Sequence, residues 1–185
     1  MNGERWVFGY GSLMWRPGFA YAEKRHARIR GYRRSLCIYS HVHRGTPESP
    51  GLVLGLDRGG ACRGIAFRVE EADWPQTLAY LREREQATSV YLETSHTLVF
   101  DDGSVRRGIA YTVDRKHIQY AGRLTVDDML PFVIQGIGQS GPNPEYVLNT
   151  YAHLCELGVR DDALARLAER LKEYQAPDGG VSRGT

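Results

Sequence analysis

The chain has 185 residues, of which 42% are apolar and 25% are charged, as in ordinary soluble globular proteins. Its 24 basic and 22 acidic residues leave a net charge of +2, which is too near neutral to indicate a nucleic-acid or membrane partner. The amino-terminal residues lack the apolar run of a secretory signal, and no apolar stretch is long enough to span a bilayer. We therefore expect a cytoplasmic protein.

The three cysteines are an odd number and have no C-x-x-C spacing, which favours reduced thiols over a disulfide framework. Cys37 lies in a predicted strand and Cys155 in a predicted apolar helix. For both residues the sequence indicates core packing and not nucleophilic catalysis.

The first half of the chain is predicted to form short β-strands at residues 5–10, 27–40, 51–57 and 62–69. The last two segments flank Arg58-Gly59-Gly60, a typical turn sequence, and are expected to pair as a hairpin. From residue 71 to about 86, Trp74, Leu78 and Leu81 recur at helical spacing, which predicts an amphipathic helix.

A second hairpin is predicted from residues 90–100 and 105–113, because the intervening Asp102-Gly103 step suits a tight turn. Helix start signals follow at Thr125 with Asp128 and at Asn143-Pro144-Glu145, and leucines at 164, 167 and 171 mark a last helix. Strands followed by helices indicate a single α+β domain over residues 1–176, with 177–185 as a flexible tail.

An apolar strand runs into Gly9-Tyr10-Gly11-Ser12, the most unusual local sequence in the chain. Glycines permit close approach and unusual dihedral angles, so such a loop can present main-chain N–H groups to a carboxylate or phosphate. The same residues also fit an ordinary strand-to-loop turn. A nucleotide-binding loop is disfavoured because Pro17-Gly18 follows where that loop would start a helix.

Glu85 continues the apolar face formed by Trp74, Leu78 and Leu81, whereas Glu83 is displaced from it. Burial and the carboxyl end of the helix both disfavour a negative charge, and such an environment produces a carboxylate that exchanges protons near neutral pH. The pattern alone also fits an exposed or ion-paired helix end.

Three segments carry a resemblance to a known family: Phe8-Gly9-Tyr10-Gly11-Ser12-Leu13, Arg84-Glu85, and residues 138–146 with the sequence GQSGPNPEY. In order and spacing they resemble the ChaC family of γ-glutamylcyclotransferases, over about residues 6–174. The resemblance implies a mixed β-barrel flanked by helices that acts on the γ-glutamyl group of glutathione without a cofactor or metal.

The resemblance also implies roles for particular residues. Glu85 matches the catalytic glutamate, a general acid and base for ring closure to 5-oxoproline with release of cysteinylglycine. The residues that match substrate-binding positions are Tyr10, Gly11, Ser12, Leu13, Arg44, Tyr91 and Tyr146. Partners are then limited to a small γ-glutamyl compound, with no nucleic acid or membrane, and the oligomeric state is left open.

Two positions depart from the family pattern. Ser89 stands where the family commonly has glycine, and Glu93 lies in the strand after Tyr91, where its charge can repel the glycine carboxylate of glutathione. The reaction type is therefore better supported than the identity of the substrate.

Three alternatives stay open. His41 and His43 fit one face of a strand and a metal site, although no further ligand pattern accompanies them. A basic cluster from Lys24 to Arg34, with nearby tyrosines, fits either a solvated surface or a non-catalytic RNA-binding module. Cyclisation of other γ-glutamyl amines or peptides would use the same Glu85.

Overall fold

A computed structural model describes residues 4–85 and 88–175 of the chain. Its contacts group these residues into two units, one comprising the described residues up to Tyr39 together with Val53–Arg123, and the other Ser40–Leu52 together with the described residues from Leu124 onward. The elements of the first half are β1 (Arg5–Gly9), a 3-10 turn (Ser12–Met14), β2 (Glu23–Ser40), β3 (Gly51–Val69), α1 (Trp74–Glu85), β4 (Tyr91–Phe100) and β5 (Val105–Val113).

Five strands close into a barrel in the order β1-β3-β2-β4-β5. Strand β1 completes the ring, because it pairs antiparallel with β3, where Val7 lies opposite Phe67, and parallel with β5, where Val7 lies opposite Ile109. Strands β4 and β5 form the hairpin predicted from the Asp-Gly turn, and Gly103 there has the positive φ of +81° that the turn requires.

The predicted hairpin between residues 51–57 and 62–69 is wrong, because both segments belong to the single strand β3. Gly59 and Gly60 have φ values of +102° and +74°, so they do adopt the conformation that the turn prediction assumed. These left-handed residues interrupt the regular pleat, as in a β-bulge, and residues 58–61 are exposed while the strand continues on either side.

Helix α1 packs on the barrel through the face that the sequence predicted. Leu81 is fully buried in a cluster with Val7, Leu13, Val69 and Tyr111, and Trp74 packs against the same cluster at its edge. The helix therefore ends, at Glu85, beside the residues that follow β1. Gln86, the last residue of the predicted helix, lies outside the described residues.

The second unit holds α2 (Val126–Gln135), the two-residue strands β6 (Ile137–Gly138) and β7 (Gly141–Pro142), α3 (Asn143–Glu156) and α4 (Asp162–Gln175). Thr125 and Asp128 form the predicted capping box at the start of α2. The buried side chain of Asn143 accepts a hydrogen bond from the Leu52 N–H at 2.7 Å and donates one to the Leu52 carbonyl at 2.8 Å. Leu164, Leu167 and Leu171 are buried along α4, as predicted.

The closed barrel followed by helices confirms the predicted α+β class. Within residues 4–85 and 88–175, none of the helices is both long and apolar enough to cross a lipid bilayer. The predicted tail at 177–185 lies outside the described residues.

Asp57 on β3 is a fully buried carboxylate. It accepts hydrogen bonds from Arg33 at 2.8 Å, Arg115 at 2.7 Å and the Tyr120 hydroxyl at 3.1 Å. Burial acts to raise the pKa of Asp57, but the hydrogen bonds from Arg115, from the Arg58 main chain and from Tyr120 outweigh it and hold that pKa below its ordinary value. Two arginines from different parts of the barrel are thus tied to one strand.

We expect Asp57→Asn to lower the free energy of unfolding by about 2–4 kcal/mol, because the amide leaves both guanidinium groups without their anion. Because the folded-state pKa of Asp57 is lowered, its stabilisation is complete above the unfolded-state pKa and is lost as the pH falls through the folded-state pKa. Urea unfolding at several pH values measures both effects. Asp101→Asn removes an exposed partner of Arg63 and is the control, and equal losses in the two variants would contradict the prediction.

Candidate active site

The loop after β1 is anchored from below by apolar side chains. Tyr10, Leu13 and Met14 are buried, whereas Gly11 is partly exposed and Ser12 is exposed. The Met14 N–H donates to the Gly11 carbonyl at 2.9 Å, and the Arg16 N–H donates to the Ser12 carbonyl at 2.8 Å. The side chains of Tyr10, Leu13 and Met14 thus anchor the segment in the core, while Gly11 and Ser12 lie nearer the surface.

The loop forms a 3-10 turn with Gly11 at its amino-terminal cap, where no side chain caps the turn. The opening N–H groups of a helical turn have no acceptor within the turn itself. Several such groups in sequence can bind a carboxylate. The geometry is compatible with both the anion-binding interpretation and an ordinary connection, so anion binding by this loop stays a prediction.

Neither Gly9 nor Gly11 has a positive φ. Gly11 nevertheless combines φ −129° with ψ −134°, a pair outside both the helical and the extended regions, which agrees with the unusual dihedral angles that the sequence analysis considered. Close packing explains Gly9, because a Cβ there would lie 3.0 Å from the Cβ of Leu13 and 3.2 Å from the Met14 nitrogen. At Gly11 an added Cβ would make only ordinary contact with Leu54, at 3.6 Å.

Glu85 occupies the last position of α1 with its side chain only 16% exposed, and Glu83 is exposed, as the helical pattern predicted. Burial raises the pKa of the Glu85 carboxyl above its ordinary value, and the positive charge of Arg84 partly opposes this change. The carboxyl end of the helix also disfavours the charged form. Glu85 therefore has the environment of a proton-exchanging carboxylate.

The loop and Glu85 are brought together by packing and by one arginine. Leu13 from the loop and Leu81 from α1 share a core cluster with Tyr111. Above this cluster, the Arg84 guanidinium donates to the Ser12 hydroxyl at 2.8 Å, and its Nε lies 3.2 Å from the Glu85 carboxylate. Two of the sequence-predicted segments therefore form one site in the first unit.

Tyr91 and Glu93 lie on β4, one on each side of Leu92. The Tyr91 hydroxyl donates to the Leu54 carbonyl at 2.8 Å, and its ring packs against the cluster that contains Leu81. Both carboxylate oxygens of Glu93 accept hydrogen bonds from Arg82, at 2.8 and 2.9 Å, and the Tyr111 hydroxyl donates to Glu93 at 3.1 Å. The charge of Glu93, which the sequence analysis considered repulsive to substrate, is paired.

Arg44 and Tyr146 are brought together in the second unit. The Arg44 guanidinium lies 5.4 Å from the centre of the Tyr146 ring and donates to the Pro142 carbonyl at 3.1 Å. Such a pair can contribute a positive charge and an aromatic surface to ligand binding. Their assignment to substrate binding stays a prediction from the resemblance.

The local structure contradicts the alternative of a metal site at His41 and His43. His41 and His43 follow β2, which ends at Ser40, so they do not share a strand face. His43 Nδ1 instead lies 3.0 Å from the Ser140 hydroxyl. Across the described part of the chain, no cluster of three or more His, Cys, Asp or Glu side chains is arranged to hold a metal ion.

Cys37 and Cys155, both predicted to pack in the core, differ in their exposure. Cys37 is buried, as predicted, and burial raises the pKa of its thiol to about 12, so it is protonated at neutral pH. The core assignment of Cys155 is wrong, because its position on α3 is exposed. A helix that is apolar in composition still has a solvent-facing side, and Cys155 falls on it, next to the buried Leu154.

Three of the six basic residues in the cluster on β2 bind partners within the first unit. Arg33 binds Asp57, and Arg25 pairs with Asp102 at 2.5 Å. Arg34 is buried and donates to the Tyr10 carbonyl at 2.6 Å and to the Arg63 carbonyl at 2.6 Å. Arg34 thus fixes the start of the loop, a role that the sequence analysis missed. The sequence does not distinguish Arg34 from the five other basic residues of the cluster, so its burial could not be predicted.

The model of the family described as ChaC-like protein matches residues 5–174 of this chain. The glutathione-specific gamma-glutamylcyclotransferase of Escherichia coli strain K12 is 34% identical over 186 residues, which cover 99% of this chain and 80% of that protein. Gamma-glutamylcyclotransferase 2-3 of Arabidopsis thaliana is 33% identical, covering 90% of this chain and 88% of that protein. Glutathione-specific gamma-glutamylcyclotransferase 1 of Homo sapiens is 32% identical, covering 89% and 77%.

Solved structures give the same fold. A yeast gamma-glutamyl cyclotransferase specific to glutathione superposes with a TM-score of 0.82 at 21% identity, covering 97% of this chain and 100% of that one. Another structure, described as a gamma-glutamyl cyclotransferase, gives a TM-score of 0.53 at 16% identity, covering 98% and 92%. These likenesses confirm the barrel with flanking helices that the sequence predicted.

Ser89 has φ +58° and is the one non-glycine residue with positive φ in the described ranges. This conformation is strained for residues with a Cβ. We expect Ser89→Gly to raise the free energy of unfolding by about 0.5–1 kcal/mol, the relief of strain exceeding the entropy that glycine adds to the unfolded chain. Chemical denaturation measures the change. Ser89→Ala keeps the Cβ and is the control, and an equal gain in both variants would show that the hydroxyl, and not the backbone, is responsible.

Proposed function

Because this chain belongs to the ChaC-like family, we propose that it is a γ-glutamylcyclotransferase, a lyase that converts glutathione to 5-oxoproline and cysteinylglycine. The observation that carries the proposal is the buried carboxylate of Glu85 beside the Tyr10–Leu13 loop, to which Arg84 links it. The relatives named glutathione-specific support glutathione as the substrate.

The substrate supplies its own nucleophile in this reaction. The α-amine of the γ-glutamyl residue attacks the γ-carbonyl carbon, the new C–N bond closes a five-membered ring, and the bond to the cysteine nitrogen breaks. An intramolecular attack of this kind has a large advantage in effective concentration. The protein therefore has to hold the γ-glutamyl group, stabilise the oxyanion and move protons.

Glu85 moves the protons in the proposed mechanism. It accepts a proton from the α-ammonium group, which frees the amine for attack, and returns it to the cysteine nitrogen as the tetrahedral intermediate collapses. One carboxyl group serves both steps, and it is regenerated in the form in which it began. A pKa raised by burial suits this double role, because the group must both accept and release a proton.

The Tyr10–Leu13 loop is proposed to hold the α-carboxylate of the γ-glutamyl group. The buried side chains of Tyr10 and Leu13 fix the turn from below, and Arg34 holds the Tyr10 carbonyl. Main-chain N–H groups at Gly11 and Ser12 are then the donors, and the same region can stabilise the oxyanion. On the resemblance alone, Tyr91 is proposed to contribute to substrate binding in the first unit. Arg44 and Tyr146, in the second unit, stay substrate-binding predictions on the same ground.

The pairing of Glu93 with Arg82 removes the objection to glutathione that the sequence raised. An unpaired carboxylate near the distal pocket would repel the glycine end of glutathione, but this carboxylate is bound on both oxygens. Other γ-glutamyl amines and peptides stay as alternative substrates, since ring closure needs only the γ-glutamyl group. Incubation of the purified protein with each compound, with mass-spectrometric detection of 5-oxoproline, distinguishes them.

We expect Glu85→Gln to lower kcat by about 10²–10⁴-fold, because the amide keeps the shape of the side chain but cannot exchange protons. The variant should melt at the same or a higher temperature, since it removes a charge that burial disfavours. Release of cysteinylglycine from glutathione measures the rate. Glu83→Gln, an exposed carboxylate two residues earlier on α1, is the control and should keep wild-type activity. A folded Glu85→Gln variant with full activity would refute this assignment.

The pH dependence of kcat/KM reports the ionisation of Glu85. The acceptor form is the carboxylate, so kcat/KM should fall as the pH drops through the pKa of Glu85. Burial raises this pKa, so the fall should occur at a higher pH than the ordinary ionisation of an exposed glutamate. Initial rates across an acid-to-neutral pH series give the profile. A profile flat down to the ordinary range of glutamate would contradict the role of Glu85 as the base.

A further inference from the structure

The guanidinium of Arg84 contacts three parts of the first unit at once. Nη2 donates to the Ser12 hydroxyl at 2.8 Å, and Nη1 donates to the Arg16 carbonyl at 2.8 Å and to the Tyr80 hydroxyl at 2.9 Å. The remaining nitrogen, Nε, lies 3.2 Å from the Glu85 carboxylate. One side chain therefore connects the loop, the chain after the loop, the last turns of α1 and the proposed catalytic carboxylate.

We infer that Arg84 is a positioning residue that holds the Ser12–Arg16 segment on the carboxyl end of α1 and orients the Glu85 carboxylate toward the substrate. The second part of this inference, the orientation of Glu85, rests on the proposed function. The first part, the fixing of the loop, stands on the contacts of Arg84 alone.

Only arginine provides this set of contacts. Its planar group presents five N–H donors in fixed directions, whereas lysine presents one nitrogen that cannot reach separated acceptors at the same time. All the groups around Arg84 are acceptors: two hydroxyl oxygens, main-chain carbonyl oxygens and a carboxylate. Pro17 adds a further carbonyl at 3.4 Å from Nη1. The surroundings of Arg84 are thus complementary to a guanidinium group.

Arg84 also acts on Glu85 by its charge. Among residues 4–85 and 88–175, the groups that interact electrostatically with the Glu85 carboxylate are Arg84 on α1 and the Tyr111 hydroxyl on β5, while Arg82 and Glu93 are bound to each other. Tyr111 keeps its proton, because burial and the negative charge of Glu93 raise its pKa. Arg84 is therefore the positive charge that offsets part of the cost of burying the Glu85 carboxylate.

The geometric and the electrostatic contribution are separable by substitution. Arg84→Lys keeps the charge and loses the fork of donors, whereas Arg84→Met loses both. For Arg84→Met we expect kcat/KM to fall by about 10–100-fold, with the acid limb of the pH profile moved to higher pH because the pKa of Glu85 rises. For Arg84→Lys we expect a raised KM with an acid limb close to that of the wild type.

Arg82→Met is the matched control. Arg82 lies on the same helix, carries the same charge and also binds a carboxylate, that of Glu93, but it does not contact the loop. Its variant should keep the wild-type acid limb. An acid limb that moves equally in Arg82→Met and Arg84→Met, or in neither, would overturn the electrostatic part of the inference.

A second measurement does not depend on activity. Hydrogen exchange of the full chain should show faster exchange of the amides from Ser12 to Arg16 in Arg84→Met and Arg84→Lys than in the wild type or Arg82→Met. If Arg84→Met does not fold, the exchange rates of Arg84→Lys and Tyr80→Phe are compared with the wild type. Tyr80→Phe removes one acceptor of Nη1.

These measurements separate the inference from the proposed function. If the wild-type protein leaves glutathione intact, the proposed function is overturned. If loop exchange is nevertheless faster in the Arg84 variants, the fixing of the loop by Arg84 is supported. Unchanged loop exchange in both Arg84 variants overturns the positioning role, whatever the wild-type activity.

Discussion

The contact between the loop after β1 and the last turns of α1 is the constraint on which the site depends. Leu13, Leu81 and Tyr111 fill one core cluster, and this cluster joins two segments that are about seventy residues apart in the sequence. Burial of these apolar side chains brings the loop close to α1, and the polar contacts of Arg84 orient the Ser12 and Glu85 side chains. Because close-packed interiors tolerate little displacement, the spacing between Ser12 and Glu85 follows from the fit of three apolar or aromatic side chains.

A buried carboxylate at the carboxyl end of a helix is an unfavourable arrangement, and its presence is itself informative. A purely structural position would be better filled by a neutral side chain. Here burial raises the pKa of Glu85, and the neighbouring arginine limits that change. The opposite case occurs at Asp57, where hydrogen bonds from Arg115, the Arg58 main chain and Tyr120 lower the pKa of a fully buried carboxylate and fix it as an anion. The two groups show that the partners of a buried carboxylate, and not burial alone, decide the direction in which its pKa moves.

Much of the fold was predictable from the sequence, because periodicity and turn residues act locally. The β4–β5 hairpin, the capping box at Thr125 and the buried face of α1 were all identified in this way. The continuous course of β3 was not predicted, and a hairpin was expected in its place. Left-handed glycines occur both in turns and in bulges, and pairing with other strands decides between the two. In the site, the pattern placed Glu85 correctly, but the partners of Arg34 and Arg84 are set by tertiary contacts that no local spacing encodes.

The position of β1 in the barrel has a consequence for biosynthesis. In a growing chain this strand is made before its partners, which lie at residues 65–69 and at residue 109. A nascent chain that ends before β5 cannot close the ring, so the loop after β1 lacks its finished support until β5 has been made. Such long-range pairing slows folding and leaves strand edges exposed in the meantime. The loop after β1 is therefore translated well before the contacts that hold it in place can form.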